Sequence, residues 1–374
     1  MSTPLSAAPL QAIDASRIDP DALNILQRLH EQGHTAYLVG GCVRDLLVGR
    51  TPRDFDVATS ATPGQVRALF SQSRGFGGRR FLVVQVQLAG GKVIEVGPFQ
   101  ARPAVDAAGM DAAVIKDEEL AEHPHEAGTP EQDARSRDFT VNALFYDVAG
   151  GRVIDHVDGL ADLRANRLRT IGDPAARLRE NPGMMVRGVR LATRLGMDIE
   201  EGTWAVMASA GDALTRGSRG RLLSESLRGV SAGTGARFVR MLSRLGWLPV
   251  LLPPVARFLA EGPEREQRFL AHLEAMDRYI STGQRLNELV LACAMLLPIT
   301  APAGGLPSPD AMAAVLGELV QGAPELGALP RHGQMLTATL HQVVASPESV
   351  PAGNPLLPDA RRLAALVTEV SRGQ

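Results

Sequence analysis

The residues best suited to chemistry are two aspartates separated by one position, Asp54 and Asp56, in a segment whose alternation predicts a β-strand. Residues i and i+2 of a strand project from the same face, so we expect the two carboxylates side by side, with Phe55 turned into a core. Two carboxylates placed side by side in this way repel each other unless a cation neutralises their charge. Oxygen ligands on one face suit Mg²⁺, which keeps positions open for water and phosphate oxygens.

A glycine pair and an arginine precede these aspartates. Gly40 and Gly41 allow a phosphate to approach the backbone closely, and Arg44 supplies a rigid positive fork. Glu95, which lies between apolar neighbours in a predicted strand, needs an ion or a partner and is the candidate third carboxylate. A solvated edge strand would explain the two aspartates alone. The whole set instead predicts a metal-dependent site for phosphoryl or nucleotidyl transfer.

The elements that must position these residues alternate between helix and strand. Predicted helices cover 21–32, 43–48, 62–70 and 139–145, predicted strands cover 36–39, 54–57, 81–88 and 93–96, and a strand and turn are predicted at 153–159. After Gly159 the strand signals stop, and the pattern stays helical to the end of the chain. This order predicts an α/β head, a mixed β-sheet with flanking helices, followed by an all-α neck and body. The predicted domains are a flexible lead at 1–20, the head at 21–160, the neck at 161–230 and a body of unassigned role at 231–374.

Charge is segregated along this chain of 374 residues, although its formal net charge is only −2. The near-neutral total argues against a globally basic nucleic-acid coat, but it leaves room for a local basic patch. Residues 100–134 carry nine acidic side chains against two basic ones and predict a mobile surface loop. Residues 161–194 carry eight arginines against three acidic side chains, whereas the whole chain has only two lysines.

Cysteine usage and hydropathy exclude several classes of protein. Two cysteines, Cys42 and Cys293, cannot form a disulfide framework or a cysteine-rich zinc site. The N-terminus has no secretory pattern, and the longest apolar stretch, 289–297, is too short to cross a membrane. His30 and His34 match a zinc-protease spacing, but the glycine between them is expected to end the helix that such a site requires. We therefore expect a cytoplasmic protein without membrane association.

Two segments resemble the first motif of the class II nucleotidyltransferases, the bacterial poly(A) polymerases and CCA-adding tRNA nucleotidyltransferases. Residues 37–49 read YLVGGCVRDLLVG, and residues 54–59 read DFDVAT. Further matches follow in the family's order at 78–81, 94–96, 137–144, 158–159 and 187–196. The resemblance spans about residues 20–260 and is strongest to the poly(A) polymerase branch, on segments 171–174 and 221–227.

The resemblance implies roles for individual residues. Asp54 and Asp56 would hold Mg²⁺ as metal ligands, and Glu95 would complete the catalytic carboxylates. The implied nucleotide ligands are Gly40, Gly41 and Arg44 for the triphosphate; Arg137, Asp138 and Asn142 for the sugar and phosphates; and Arg187 and Arg190, from a neck helix, above the nucleotide. Three positions of spacing place the last two arginines on one helix face, which agrees with this role.

The neck motif departs from the family pattern Glu-Asp-Pro-x-Arg, because residues 180–184 read ENPGM. Asn181 stands where an aspartate is usual and Met184 where an arginine is usual; in the family this pair faces the base edge. An amide both donates and accepts hydrogen bonds, whereas a carboxylate only accepts, and methionine lacks the guanidinium donors. The departure implies either an enzyme with changed or relaxed base choice or a copy losing activity, and the intact carboxylates favour the enzyme.

The resemblance implies an enzyme that adds AMP from ATP to RNA 3′ ends without a template. Its expected partners are the 3′ end of an mRNA or tRNA and ATP or another nucleoside triphosphate. The arginines of 161–194 are expected to help hold them, with a solvated helix face as the alternative. Two other functions stay open at this stage: CCA addition to tRNA, and a degenerate RNA-binding copy.

Overall fold

A computed structural model describes residues 10–78, 81–101, 113–115, 128–209, 211–301, 305–346, 348 and 350–372. The chain packs as two compact units. The first, here called the head unit, comprises Leu5–Asn181 and Met197–Val206. The second, here called the helical unit, comprises Pro182–Gly196 and the described residues from Met207 onward. The predicted domain limits at 20, 160 and 230 stay predictions.

The head unit is built on a mixed sheet that has eight strands among the described residues. These are β1 (Ala36–Val39), β2 (Asp56–Thr59), β3 (Ser73–Gly78), β4 (Phe81–Gln87), β5 (Val93–Pro98), β6 (Ala113–Ile115), β7 (Phe145–Asp147) and β8 (Arg152–Ile154). They lie in the order β6-β3-β4-β5-β2-β1-β7-β8, and each neighbouring pair is antiparallel except β2 with β5. A parallel pair needs a crossover connection, which the intervening helix and hairpin provide here.

Helices flank this sheet. Those of the head unit are α1 (Pro20–Glu31), α2 (Gly41–Leu47), α3 (Pro63–Leu69), α4 (Pro130–Ser136), α5 (Gly159–Arg164) and α6 (Pro174–Glu180). Local sequence explains where they begin: Asp19 caps α1, and Thr62 forms a capping box with Gln65 at the start of α3. Gly33 follows α1 with φ of +79°, a conformation that glycine adopts without strain.

The helical unit contains α7 (Gly183–Leu195), α9 (Arg219–Val230), α10 (Gly235–Arg244), α11 (Leu248–Leu251), α12 (Pro253–Ala260), α13 (Pro263–Ser281), α14 (Glu288–Thr300), α15 (Pro309–Leu319), α16 (Leu329–Ala345) and α17 (Leu357–Arg372). A further helix, α8 (Glu201–Ser209), runs across the boundary between the two units. Helix α14 is the most enclosed, because its residues from Val290 to Pro298 are all buried. Within the described part of the chain, no helix combines the length and the apolar character needed to cross a membrane.

Two predictions about secondary structure are wrong. The helix expected at 139–145 is a single 3₁₀ turn, Thr140–Asn142, followed by strand β7. Phe145 is fully buried and pairs with β1, so sheet pairing overrides the local helical pattern. Strands also continue beyond Gly159, because β9 (Arg167–Leu168) and β10 (Asp198–Ile199) form a small parallel ladder.

The lead and the acidic segment differ from expectation where the structure describes them. Ala15–Arg17 forms a 3₁₀ turn and Ile18 is buried, so the end of the predicted lead at 1–20 is folded. Most of the acidic loop expected at 100–134 lies outside the described residues. The described pieces within it include strand β6 and helix α4, so it is not one continuous loop.

A buried histidine joins two helices of the helical unit. His272 of α13 is 3% exposed, and its Nε2 lies 2.8 Å from the backbone oxygen of Ala294 in α14. Because a carbonyl oxygen only accepts, Nε2 carries the proton in this contact. Burial lowers the pKa of His272 from 6.5 to about 4.

Acid is therefore expected to destabilise the protein through this histidine. A depressed folded-state pKa stabilises the fold fully above pH 6.5, and this contribution is lost as the pH falls through about 4. The variant His272→Gln keeps an N–H for Ala294 but does not titrate, so its free energy of unfolding should fall less between these pH values, by about 2–3 kcal/mol. Denaturant unfolding across that range checks this, and equal slopes for variant and wild type would contradict it.

Candidate active site

The parallel pairing of β2 with β5 places two carboxylates in adjacent strands. Asp56 lies directly opposite Glu95 in this register, and both side chains are half-buried. The pKa of Asp56 is raised from 3.8 to about 6, chiefly by burial and then by the neighbouring negative charges of Glu95 and Asp54. Arg137 acts in the opposite direction and lowers this pKa. The arrangement concentrates negative charge where a cation would relieve it.

Asp54 lies outside the strand that was expected to carry it. Strand β2 begins at Asp56 and Asp54 is exposed, so the prediction that one strand carries both aspartates is wrong, while Phe55 is half-buried. The backbone ahead of β2 therefore does not impose strand alternation on Asp54. Within the described ranges, no group of three His, Cys, Asp or Glu side chains is arranged to hold a metal ion.

The glycine pair forms a tight turn between β1 and α2. Gly40 has φ of +80° and ψ of −130°, a conformation that only glycine adopts readily. Its N–H donates to the backbone oxygen of Leu144 at 3.0 Å. A Cβ atom on Gly40 would lie 3.4 Å from Nη1 of Arg137, and one on Gly41 would lie 3.5 Å from Nη2 of Arg44. Two guanidinium groups therefore lie against the turn, as a phosphate site requires.

Arg44 is held from inside the protein. Its side chain is 3% exposed, and its Nε and Nη2 donate to Oδ1 of Asp45 at 2.9 and 2.6 Å. Its Nη1 donates to Oδ1 of Asn142. The structure thus brings together two predicted nucleotide ligands that are far apart in sequence. Arg44 fixes the side chain of Asn142 next to the glycine turn.

Arg137 and Asp138 directly follow helix α4, and Arg137 lies against the glycine turn. Nη2 of Arg137 donates to Oδ2 of Asp133 at 3.1 Å, and its guanidinium carbon lies 5.5 Å from the ring centre of Phe145. Its Nε is buried and has no hydrogen-bond partner. Oδ1 of Asp138 accepts from the next backbone N–H, that of Phe139, at 2.9 Å.

Sequence reasoning missed the residues that hold this segment. Asp133 is 2% exposed and precedes Arg137 by four positions in a helical register, a spacing that could have identified the pair. Nη2 of Arg177 donates to the backbone oxygens of Ser136 and Arg137 at 2.8 and 2.6 Å. The sequence shows Arg177 only as one of a basic cluster, and no local signal reports such a backbone contact.

Asp162 is the deepest of the missed residues. It is fully buried, and its carboxylate accepts from Nε of Arg167 at 2.8 Å, from Nε of Arg169 at 2.7 Å and from Oγ1 of Thr140 at 2.7 Å. The backbone N–H of Thr140 also donates to the backbone oxygen of Arg169 at 3.0 Å. Thr140 lies between Asp138 and Asn142, so Asp162 anchors the turn that carries both.

Comparisons with known proteins place relatives of this chain among the poly(A) polymerases. A family model described as "Poly A polymerase head domain" matches residues 36–169, and one described as "Probable RNA and SrmB- binding site of polymerase A" matches residues 196–259. Poly(A) polymerase I of Haemophilus influenzae is 35% identical over 309 residues, 80% of this chain and 68% of that protein. Poly(A) polymerase I of Salmonella typhimurium is 36% identical over 348 residues, 89% of this chain and 73% of that protein.

The chain belongs to the nucleotidyltransferase family of poly(A) polymerases and CCA-adding enzymes. A solved structure of similar fold is the Bacillus stearothermophilus CCA-adding enzyme in complex with CTP. It is 26% identical with a TM-score of 0.55, and the match covers 93% of this chain and 83% of that one. The fold predicted from the sequence, an α/β head followed by a helical remainder, is confirmed, and the short β9–β10 ladder is the exception to an all-α neck.

The four predicted neck residues of this nucleotidyltransferase are divided between the two units. Asn181 is the last residue of the first segment of the head unit. Met184, Arg187 and Arg190 lie on α7 of the helical unit. Met184 is 2% exposed, and Arg187 is half-buried. Arg190 is also half-buried, and its Nε donates to Oε2 of Glu225 at 3.0 Å.

The surroundings of Asp56 predict how stability depends on pH without metal. Because the folded-state pKa is raised, the charged carboxylate destabilises the fold as the pH rises from 3.8 through about 6. The variant Asp56→Asn removes that charge, so in EDTA it should be more stable than wild type by about 1–3 kcal/mol at pH 7.5. The two proteins should converge below pH 4. Thermal unfolding at both pH values checks this, and a destabilised variant at pH 7.5 would contradict it.

Proposed function

We propose that this chain transfers AMP from ATP to the 3′-hydroxyl of an RNA, without a template, and releases pyrophosphate. The observation that carries the proposal is the Asp56–Glu95 register beside a glycine turn lined by two guanidinium groups. Similarity to poly(A) polymerase I over most of the chain supports AMP as the transferred group. The partners are thus an RNA 3′ end and a nucleoside triphosphate.

Asp54 and Asp56 are the residues proposed to hold Mg²⁺. The fit rests on charge, because Asp56 is already disfavoured as an anion by burial and by Glu95, and a cation would relieve this cost. Mg²⁺ is commonly bound through one or two carboxylates together with substrate phosphates, so a third protein ligand is not required. When bound, the ion would activate the attacking hydroxyl and stabilise charge on the leaving phosphates.

The chain's own cations are proposed to bind the triphosphate. Gly40 and Gly41 leave space for phosphate oxygens at the backbone, beside Arg44 and Arg137. The buried, unpaired Nε of Arg137 favours an anionic acceptor at this position. Because Arg44 is fixed by Asp45 and Asn142, it offers charge without having to be ordered on binding.

Asp138 and Asn142 are proposed to orient the sugar and phosphates from the turn that Asp162 anchors. Arg187 and Arg190 are proposed to bind the nucleotide from the neck, and Asn181 with Met184 to determine base choice. Because Asn181 offers both a donor and an acceptor, it can pair with more than one base edge. Base selection by this chain is therefore proposed to be less strict than with a carboxylate and a guanidinium group.

CCA addition to tRNA is the second candidate function. The fold matches a CCA-adding enzyme in complex with CTP along nearly the whole chain, and that match favours this alternative. A cytoplasmic location fits either substrate, and the two cysteines are free and buried, as they would be in a reducing compartment. The predicted domain plan of head, neck and body stands with this proposal.

An incorporation assay distinguishes these functions: purified protein is incubated with Mg²⁺ and with each labelled triphosphate in turn. An unstructured oligo(A) and a tRNA lacking its 3′ end serve as acceptors. Long tails from ATP on the oligo(A) support the proposal, whereas a three-nucleotide extension of the tRNA supports CCA addition. Failure of a demonstrably folded protein to incorporate any triphosphate would show a degenerate copy and contradict both enzyme functions.

Removing a metal-binding carboxylate should abolish most of the activity. We expect Asp54→Ala to lower kcat by at least about a hundred-fold, because charge on the leaving phosphates loses its neutralising ion. Asp198→Ala, at an exposed aspartate of the same unit, is the matched control and should retain wild-type kcat. Steady-state AMP incorporation measures both variants, and wild-type activity in Asp54→Ala would show that the metal assignment is wrong.

Restoring the family residues in the neck should narrow base choice. The double variant Asn181→Asp with Met184→Arg supplies a carboxylate acceptor and guanidinium donors, so the ratio of kcat/KM for ATP to that for CTP should rise by about ten-fold. Competition between the two labelled triphosphates measures this ratio. The same ratio in wild type and variant would remove these two positions from base selection.

A further inference from the structure

A row of polar side chains crosses four neighbouring strands and ends at the carboxylate pair. Arg74 of β3 pairs with Gln85 of β4, Gln85 pairs with Glu95 of β5, and Glu95 pairs with Asp56 of β2. Nε of Arg74 donates to Oε1 of Gln85 at 3.3 Å, and Nε2 of Gln85 donates to Oε1 of Glu95 at 3.0 Å. Directly paired residues share a face of the sheet, so the row forms one connected surface.

The chemistry of the two ends determines which way the amide of Gln85 faces. A guanidinium group can only donate and an ionised carboxylate can only accept. The amide oxygen must therefore face Arg74, and the amide nitrogen must face Glu95. Because Arg74 fixes the orientation of the amide, Gln85 presents its N–H group to Glu95.

Glu95 needs such a donor because of its other neighbour. Asp56 and Glu95 carry like charge in adjacent strands, and their repulsion favours rotation of either side chain away from the other. Asp56 has Arg137 nearby to offset its charge, whereas the amide of Gln85 is a fixed donor to Glu95 on the opposite side. A hydrogen bond from a correctly oriented amide keeps the Glu95 carboxylate on the shared face, beside Asp56.

We propose that Gln85 is a positioning residue, which holds the carboxylate of Glu95 beside Asp56 and so assembles the divalent-cation site. The inference rests on the proposed function only in assigning that cation to catalysis. Gln85 does not touch the substrate, and Arg74 acts through it. The role needs the amide donor specifically, since an apolar side chain of similar size would fill the same space without holding Glu95.

Binding of Mn²⁺ alone, without nucleotide, is the first test. Gln85→Leu keeps the side-chain volume but removes the donor, and it should weaken Mn²⁺ binding by about ten-fold in calorimetric titration. Gln85→Glu still accepts from Arg74 but cannot donate, and its added negative charge should let Glu95 turn away. Gln85→Glu therefore provides a second variant without the amide donor, in case Gln85→Leu is poorly folded.

Gln87 provides the matched control. It lies two residues further along the same strand, is exposed, and pairs with Val93, which has no carboxylate. Gln87→Leu makes the same chemical change and should bind Mn²⁺ as wild type does. Equal weakening in both leucine variants, with equal loss of thermal stability, would overturn the proposal, because it would assign Gln85 to general sheet stability.

Kinetics in two backgrounds is the second test. Gln85→Leu should lower kcat for AMP incorporation by about ten-fold and leave KM for ATP within about two-fold. In the Glu95→Gln background the same substitution should cost less than about two-fold, because the group it positions is already neutral. Equal losses in both backgrounds, or unchanged kcat and Mn²⁺ affinity in Gln85→Leu, would overturn the proposal. A wild-type protein that incorporates no triphosphate contradicts the proposed function, and the Mn²⁺ titration then still decides the role of Gln85.

Discussion

The large sheet of the head unit depends on one parallel strand pairing among its described strands. Each other neighbour in this sheet is antiparallel, but β2 and β5 run in the same direction, and their register puts Asp56 opposite Glu95. The crossover connection keeps these two strands adjacent although Asp56 and Glu95 lie 39 positions apart in the sequence. Folding energy from the surrounding sheet therefore forces two like charges together, at a place where the side chains alone would separate.

The two arginines beside the glycine turn are each held by internal acceptors. Asp45 and Asn142 accept from Arg44, and Asp133 accepts from Arg137. Long cationic side chains otherwise lose considerable rotamer freedom when they bind an anion. Because these contacts exist without a ligand, the protein meets that cost during folding, and the positive charge is already in place when a phosphate arrives.

The parts of the fold that could be predicted from sequence are those set by local patterns. The glycine turn, the β4–β5 hairpin and the capped start of α3 each have a local physical cause, so each was expected where it lies. The segment 139–145 could not be read in this way, because Phe145 joins a strand whose partners are distant in the chain. Long-range pairing outweighs a local preference of a fraction of a kcal/mol per residue.

In the site, too, the residues that could be predicted are those with a local sequence pattern. Spacing and chemistry identified Asp56, Glu95 and the glycine pair, but the direct contact of Arg44 with Asn142 joins positions almost a hundred residues apart. Asp162 has no motif of its own; only its burial among three donors shows its importance. Supporting acceptors of this kind are defined by the folded structure, not by their neighbours in sequence.

The near absence of lysine has a consequence for regulation. Two lysines stand against 37 arginines, and the one in the described residues, Lys92, is engaged by Asp19 and Asp21 at the start of α1. A guanidinium group stays protonated at any pH that the fold survives, whereas an amine can be neutralised by a single acetyl transfer. The cations beside the glycine turn are guanidinium groups, so lysine acetylation does not reach them and their charge does not vary with pH.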